Sequence, residues 1–360
     1  MYIVHDGYLL FKWENLHHFG INKCETSLKR TGSKRIKTMH QQLFCKVVTN
    51  ILGRKTAFFT SVLAIAIFGM ACTPTRESSS ATQPNTAQSP ASTNSQAGEE
   101  QGTITMAVIP WQVSAEQEKK LQPLADYLSK ALKRPFKFEI TKDYTTAVDF
   151  LVTGKVDLAY LGPSSYIEAH LRDPKIEPLV SPINQETKRP WYTSVIIVSR
   201  NSRIKTLQDL KGKRFAFVSK LSTSGFVAPM AYFQQIGINP ERDFAKVVFS
   251  GSHDKSKQAL VNGEVDAIAD DRRSYTEQVK EKKIDSTKYT IIWESVPLPS
   301  VPLAASSKVS VELKDALKKA LIDAPVNLVD PSGSIGVGYT LVQDGDYDIV
   351  RELQKRVSSK

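Results

Sequence analysis

Residues 222–225 (STSG) place three hydroxyl groups and a glycine directly after a short apolar strand at residues 215–218. Residues 226–236 have helical character, so these hydroxyls stand at the start of a predicted helix. The first N–H groups of a helix lack partners within it, and the helix dipole adds about half a positive charge there. This arrangement can hold an oxyanion. An ordinary helix N-cap is the alternative, because Ser and Thr are preferred at that position.

Polar side chains follow other predicted strands in the same way. Residues 250–254 (SGSHD) connect a strand to a helix, and His253 is one of two histidines after residue 71. Asp270 and Asp271 follow a further strand, and paired acids suit metal binding or general acid/base chemistry. Two arginines adjoin them, so a local ion-paired turn is an equal alternative.

Aromatic side chains flank these loops. Tyr160 opens the sequence YLGPSSY, which stands where a binding loop would lie but also suits a routine turn. Tyr192 precedes a strongly apolar strand, as a pocket wall or as the edge of a core, and Trp111 follows the first strand. We include all three among the candidate ligand-binding residues.

Signatures of enzymes are scarce. The chain has no Gly-x-Ser-x-Gly elbow, P-loop or His-Glu-x-x-His sequence. Its cysteines, Cys24, Cys45 and Cys72, all precede the predicted globular part, which excludes a disulfide, thiolate metal site or cysteine nucleophile there. We therefore expect a protein that is not an enzyme and has no metal or cofactor.

The net charge of +11 belongs largely to the N-terminal region. Residues 1–71 contain 10 Lys and Arg against 3 Asp and Glu, whereas the remaining 38 basic and 34 acidic residues nearly balance. No nucleic-acid partner is expected.

The N-terminal region has the pattern of an exported protein. Residues 1–53 form a basic extension. We favour the interpretation that the start codon is misplaced and lies upstream of the true one, since Met39 would begin a more conventional export signal. A short soluble N-terminal extension is the alternative. Residues 54–72 predict a signal peptide whose 14-residue apolar run is short for a membrane span. It ends at Cys72 in a sequence that resembles a lipobox, although Gly69 departs from the usual aliphatic residue. Residues 73–102, rich in Ser, Thr, Gln and Pro, predict a disordered tether. We expect a periplasmic protein with a lipid anchor on the outer face of the cytoplasmic membrane.

Strands alternate with helices from residue 103 onwards, which predicts an α/β protein with mostly parallel sheets. Residues 150–159 (FLVTGKVDLA) and 259–268 (ALVNGEVDAI) share one pattern of helix, glycine turn, Val-Asp and strand. This internal repeat predicts two similar lobes with a ligand cleft between them, at the strand ends.

Eight segments in this order resemble the phosphonate-, phosphite- and phosphate-binding proteins of bacterial ABC importers, over approximately residues 103–325. The segments are GKVDLAYLGPSSY, YTSVIIV, DLKGKRFAFV, STSGF, GINPERDF, GSHD, NGEVDA and VPLPSVP. The resemblance implies a two-lobed periplasmic-binding fold of type II-like architecture. Crossings near residues 199–202 and 294–296 would divide it into lobe 1 (103–198 plus 296–360) and lobe 2 (199–295).

The resemblance also implies roles for individual residues. The oxyanion cradle falls on Ser222, Thr223 and Ser224, the pocket tyrosines on Tyr144 and Tyr192, and the loop histidine on His253. Relatives that take aminoalkyl phosphonates have carboxylates where this chain has Arg273 and Val301. A ligand without an amine is therefore favoured: phosphite, methylphosphonate or phosphate, which the sequence does not rank.

Three functions remain open at this point. The resemblance favours a solute receptor that delivers its ligand to an ABC importer permease. A sensor ectodomain for phosphate or phosphonate is the alternative, and a secreted phosphoester hydrolase is the third.

Overall fold

The computed structural model of the protein describes residues 102–111, 114–326 and 328–359. The predicted extension, signal peptide, Cys72 and nearly all of the predicted tether lie outside these ranges. Within them, no helix combines the length and apolarity that crossing a membrane requires.

Strands and helices alternate along the described residues. The strands are β1 (Ile104–Val108), β2 (Phe136–Ile140), β3 (Leu158–Tyr160), β4 (Glu177–Pro182), β5 (Trp191–Tyr192), β6 (Ser194–Ser199), β7 (Arg214–Phe217), β8 (Lys246–Phe249), β9 (Ala267–Asp271), β10 (Tyr289–Glu294), β11 (Leu298–Pro299), β12 (Leu303–Ala305) and β13 (Tyr339–Leu341). The α-helices are α1 (Ser114–Leu132), α2 (Tyr144–Thr153), α3 (Pro163–Arg172), α4 (Ala228–Gln235), α5 (Pro240–Asp243), α6 (His253–Val261), α7 (Arg272–Lys280), α8 (Val311–Ile322) and α9 (Asp348–Ser358). Short 3₁₀ segments lie at Gln208–Leu210 and Asp344–Tyr347, and a π-helical turn, Thr223–Val227, precedes α4.

Two sheets define two lobes. The sheet of lobe 1 has the strand order β13-β4-β12-β3-β1-β2, and that of lobe 2 has the order β10-β6-β9-β7-β8. A two-stranded ladder of β5 and β11 lies where the chain passes between the lobes. The predicted α/β class and two-lobed architecture are confirmed.

The expectation of mostly parallel sheets needs correction, because both sheets are mixed. Strand β1 pairs in parallel with β2 and β3, and β7 pairs in parallel with β8 and β9. Strands β12 and β13 in lobe 1, and β6 and β10 in lobe 2, pair antiparallel to their neighbours. Strands β6 and β12 follow closely on the crossing segments rather than on a helix, so no helical crossover makes them parallel.

The first crossing between the lobes also differs from its expected place at residues 199–202. Strand β6 belongs to the sheet of lobe 2, where Ser194 lies opposite Asp271 and Val198 opposite Ala267. Residues 183–193 therefore contain this crossing, and we propose lobe boundaries of 103–193 plus 296–360 and 194–295. The apolar pattern of β6 predicts a buried strand but does not reveal its partner, since pairing is non-local.

Both faces of the lobe 2 sheet are covered, as alternate side chains of β6 show. Ile196 and Val198 pack in one apolar cluster, and Val195 and Ile197 pack in another on the opposite face. Burying each such side chain contributes about 1.5–3 kcal/mol. Lobe 1 has its own apolar cluster around β1, β3 and β12.

The two copies of the internal repeat occupy equivalent places in the lobes. In lobe 1, Asp157 Oδ2 accepts a hydrogen bond from the Thr105 N–H of β1 at 2.8 Å. In lobe 2, Asp266 Oδ2 accepts one from the Arg214 N–H of β7, also at 2.8 Å. The Asp of each Val-Asp pair thus joins its strand to the start of the neighbouring strand, and the repeat corresponds to the same α/β unit twice.

Candidate functional site

Residues that follow strands of lobe 1 contact residues that follow strands of lobe 2. The Trp111 ring, just after β1, stacks on the His253 ring at the start of α6, with centroids 4.8 Å apart and planes inclined by 11°. The Ser164 N–H, at the start of α3, donates a hydrogen bond to Thr223 Oγ1 at 2.8 Å. These contacts place the predicted cleft at the carboxyl ends of the strands, where α/β proteins bind ligands.

The segment after β7 forms a wide turn rather than a regular helix start. Ser222 is its N-cap, and Ser222 Oγ accepts a hydrogen bond from the Gly225 N–H at 3.0 Å. The Val227 N–H donates to the Ser222 carbonyl at 3.0 Å, a bond that spans five residues. A Cβ at Gly225 would lie 2.5 Å from the Val218 side chain, so the turn needs glycine there. Ser222 therefore does cap the helix, as the alternative interpretation of the sequence predicts.

The next two residues connect elements instead of capping. Thr223 Oγ1 accepts from the Ser164 N–H and donates to Ser164 Oγ at 2.9 Å, which joins the two lobes. The carbonyl of Ser224 accepts a hydrogen bond from Ser194 Oγ at 2.7 Å. All three cradle residues are at least 97% buried, so their hydroxyls lie inside the closed cleft.

A buried network of charges surrounds the carboxylate of Asp270. His253 Nδ1–H donates to Asp270 Oδ1 at 2.5 Å, and the Lys257 ammonium donates to Asp270 Oδ2 at 3.1 Å and to Ser274 Oγ at 2.6 Å. Burial alone would raise the pKa of the Asp270 carboxyl, but Lys257 and His253 outweigh burial and hold that pKa below its ordinary value. Asp270 is therefore a charged structural partner of the histidine.

Asp271 is the last residue of β9 and the N-cap of α7. Its Oδ1 accepts a hydrogen bond from the Ser274 N–H at 2.7 Å, while its Oδ2 lies 3.8 Å from His253 Nδ1. The three side chains of His253, Asp270 and Asp271 are spaced closely enough to hold a metal ion. Because the Lys257 ammonium already occupies a place on Asp270, this donor set does not suit a second cation.

An ion pair closes the adjacent side of the cleft. The Arg273 guanidinium donates to Asp330 Oδ2 at 3.0 Å; the Asp330 side chain is buried, and the Arg273 side chain is 10% exposed. Burial would lower the pKa of Arg273, but the carboxylate of Asp330 outweighs it and raises that pKa. The alternative of a local ion-paired turn is therefore wrong, because Arg273 pairs with Asp330, 57 residues away, and Arg272 pairs with Glu294.

The buried tyrosines act as neutral groups. Burial raises the pKa of the Tyr144, Tyr160 and Tyr192 phenols well above its ordinary value, so each keeps its proton. Tyr144 and Tyr192 lie near Asp271 and the cradle, whereas Tyr160 lies near Arg273 and Asp330.

Several buried polar atoms of these residues make no hydrogen bond with the part of the chain that the structure describes. They are Trp111 Nε1, Tyr144 Oη, Tyr160 Oη, His253 Nε2, Asp271 Oδ2 and Arg273 Nε. Buried polar groups in native proteins nearly always have partners, so a cluster of unpaired ones needs an explanation. Most of them can donate a hydrogen bond, which is the character of an anion site.

Little space remains between these groups. The pocket lined by Trp111, Asp271, Arg273 and Ser334 has a volume of about 10 Å³, roughly what one water molecule needs. A larger pocket of about 580 Å³, lined by Phe226 and Phe249 among others, contains none of the unpaired groups. We therefore locate the candidate site in the closed cleft.

The structure brings the ten predicted ligand-binding residues into this cleft, and all ten are buried. Three contributors were not predicted. Lys257 had a usable signal, because it lies four residues after His253 and thus on the same face of α6. Ser164 lies within the YLGPSSY segment that was considered as a binding loop, although its contact with Thr223 is long-range. Asp330 had no signal, since its contact with Arg273 is long-range.

The comparisons with known proteins identify the family of the chain. The family described as "ABC transporter, phosphonate, periplasmic substrate-binding protein" matches residues 106–333. The chain is 30% identical over 271 residues to the phosphate-import protein PhnD of Mycolicibacterium smegmatis, covering 70% of this chain and 84% of the relative.

Solved structures share the fold. The binding protein component of an ABC phosphonate transporter from Pseudomonas aeruginosa has a TM-score of 0.66 and 21% identity, covering 71% of this chain and 86% of its own. PhnD1 of Prochlorococcus marinus in complex with methylphosphonate has a TM-score of 0.64 and 21% identity. The match covers 72% of this chain and 99% of the PhnD1 chain. The family match and the relative together show that the chain belongs to the periplasmic substrate-binding proteins of phosphonate-type ABC transporters, which are binding proteins and not enzymes.

Proposed function

We propose that the cleft of this protein binds a small phosphorus oxyanion without an amino group, which it delivers to its ABC permease. The observation that best supports this proposal is the cluster of unpaired buried donors beside the hydroxyl-rich turn of Ser222–Ser224. The candidate ligands are phosphite, methylphosphonate and phosphate. Relatives named for phosphate import and for phosphite binding support this class without ranking its members.

Neutral groups would do most of the binding. The hydroxyls of Ser222 and Ser224 and the phenols of Tyr144 and Tyr192 surround the proposed site, and each can donate a hydrogen bond to a phosphoryl oxygen. Hydrogen bonds to an ionised partner contribute roughly 1.5–3 kcal/mol each. Three or four of them suffice for tight binding of a small anion.

The absence of an amine in the ligand follows from the acids around the site. Val301, at one of the two positions where relatives carry a carboxylate, is buried in the core of lobe 1. Arg273, at the other, carries a positive charge that would repel an ammonium group. Asp330 already pairs with Arg273, and Glu277 already accepts hydrogen bonds from Ser334 Oγ and the Ile335 N–H.

We further propose that Cys72 carries a lipid anchor on the outer face of the cytoplasmic membrane, with residues 73–102 as the tether. A sensor ectodomain would use the same cleft but would not need the importer permease. A hydrolase would need a nucleophile or an open metal position at the cleft. In the cluster of His253, Asp270 and Asp271, the carboxylate of Asp270 is already paired with the Lys257 ammonium.

Calorimetric titration of the protein with phosphite, methylphosphonate, phosphate and 2-aminoethylphosphonate tests the proposal. We expect at least one of the first three to bind at least about tenfold more tightly than the aminophosphonate, a difference of about 1.4 kcal/mol. If none of the four binds, the proposed function is wrong. Turnover of a chromogenic phosphate ester with added divalent metal would identify an enzyme instead.

A further inference from the structure

One lysine of lobe 2 is buried beside the candidate ligand-binding residues. Lys257 is 3% exposed, and its ammonium donates hydrogen bonds to Asp270 Oδ2 at 3.1 Å and to Ser274 Oγ at 2.6 Å. The Asp254 carboxylate lies farther away, at 3.9 Å, and already accepts a hydrogen bond from Gln278. Lysines are almost never fully buried unless they are paired, so Asp270 is the partner that keeps this ammonium in the interior.

The carboxylate of Asp270 connects this lysine to the cleft. Its Oδ2 accepts from Lys257, and its Oδ1 accepts from the His253 Nδ1–H at 2.5 Å. The Trp111 ring stacks on the imidazole, so the orientation of that ring is fixed at its face as well as at one edge. His253 Nε2 is buried and makes no hydrogen bond with the described residues. Lys257 therefore reaches a candidate ligand-binding side chain through one intervening carboxylate.

The charges in this region would oppose an anion if the ammonium were missing. Asp270 and Asp271 are both fully buried, and His253 Nδ1 lies 2.5 Å and 3.8 Å from oxygens of the two carboxylates. Buried charges are screened by salt much less than exposed ones, so both carboxylates would repel a phosphorus oxyanion in the cleft. Burial raises the pKa of the Asp270 carboxyl, and Lys257 is the largest of the effects that bring it below its ordinary value. The ammonium thus balances an acid that remains ionised.

We propose that Lys257, acting through Asp270, balances the charge of the cleft so that it accepts an anion, and that it does so without touching the ligand. This inference rests on the proposed function and identifies a specificity-determining residue for it. The Arg273 guanidinium does not take over this task, because it is paired with Asp330. Neutral donors then hold the oxyanion, while the compensating cation remains behind a carboxylate.

A charge series on the two partners tests the proposal. Lys257→Met removes the positive charge, Asp270→Asn removes the negative charge, and the double variant removes both. Calorimetry at one fixed pH gives the dissociation constants of phosphite, methylphosphonate and phosphate for each full-length protein. We expect Lys257→Met to weaken the binding of these anions by at least about tenfold, and the double variant to return to within about threefold of the unaltered protein. Asp270→Asn should bind them more tightly than the double variant, because it keeps the ammonium and loses only the carboxylate.

Lys314→Met is the matched control for the loss of a paired lysine. The Lys314 side chain is 13% exposed and pairs with Glu177 at 3.2 Å within lobe 1, so this change should leave the affinities as they are. Thermal unfolding without ligand accompanies each titration, because Lys257→Met leaves the buried carboxylate of Asp270 without its ammonium and should lower stability as well.

The pattern of affinities decides the outcome. Unchanged affinity in Lys257→Met with a lower melting temperature makes Lys257 a structural residue and overturns the proposal. A loss in the double variant as large as that in Lys257→Met also overturns it, since this result assigns the ammonium a direct contact with the ligand. If Lys257→Met does not fold, the two proteins with Asp270→Asn decide, and equal affinities in them refute the inference. Failure of all three anions to bind to the unaltered protein refutes the proposed function itself.

Discussion

Replacing Thr223 by Val removes one hydroxyl and keeps the shape of the side chain. That hydroxyl makes two hydrogen bonds to Ser164, one with its N–H and one with its Oγ, at 2.8 and 2.9 Å. Both bonds cross from lobe 2 to lobe 1. Neither belongs to the helix that Thr223 begins, because Ser222 provides the cap.

The magnitude follows from these two bonds. A hydrogen bond between neutral groups contributes about 0.5–1.5 kcal/mol net, so the pair contributes about 1–3 kcal/mol to the closed arrangement. Two-lobed periplasmic binding proteins close around their ligands, so this loss should reach the binding equilibrium. We expect Thr223→Val to weaken binding by about fivefold to a hundredfold, while Thr223→Ser retains near-normal affinity.

Calorimetry gives the dissociation constant, and thermal unfolding without ligand gives stability, on the same three proteins. Because the bonds join lobes instead of stabilising either one, the melting temperature of the ligand-free variant should change little. A lower melting temperature with unchanged affinity would show that Thr223 is only a structural connection. Unchanged affinity in the Val variant together with a loss in the Ser variant would show that the methyl group matters and the hydroxyl does not.

Three further changes test other features. Gly225→Ala should cost about 1–3 kcal/mol of stability in thermal unfolding, because its Cβ would lie 2.5 Å from Val218; Gly345→Ala, where a Cβ meets nothing within 4 Å, should be close to neutral. Asp330→Asn should lower the free energy of unfolding, measured by chemical denaturation, by about 3–5 kcal/mol, because it leaves the guanidinium of Arg273 without its carboxylate. A decrease below about 1 kcal/mol would mean that this ion pair contributes no more than an ordinary surface pair. Cys72→Ser should release the protein from the membrane into the soluble periplasmic fraction, and unchanged membrane association would contradict lipidation.

Much of the site could be predicted because its signals are local. The strand, hydroxyl turn and helix around residues 215–235 lie within one short stretch, and the internal repeat identifies the same unit in each lobe. The resemblance then located Tyr144 and His253, which begin the helices α2 and α6 that follow β2 and β8. Each of these signals depends on a few neighbouring residues and on their order along the chain.

The remainder depends on contacts between distant residues. The sequence around Arg273 predicts a local charged turn, yet its partner Asp330 lies 57 positions further along the chain. The strong apolar pattern of β6 would suit a buried strand of either lobe. Only its pairing with β9 and β10 assigns it to lobe 2. The hydroxyl of Thr223 suits a cap equally well, until Ser164 of the other lobe is brought to it.

The strand order of lobe 1 has a consequence for folding kinetics. All five strands of lobe 2 come from one continuous stretch, β6 to β10, so that sheet can form as soon as this stretch is available. Strand β12 follows lobe 2 in the chain, yet it lies between β3 and β4 in the middle of the lobe 1 sheet. Until residues 303–305 arrive, β3 and β4 expose unpaired edges, which can associate with other chains. A chain that ends before β12 would therefore lack the central strand of the lobe 1 sheet, although it contains every strand of lobe 2.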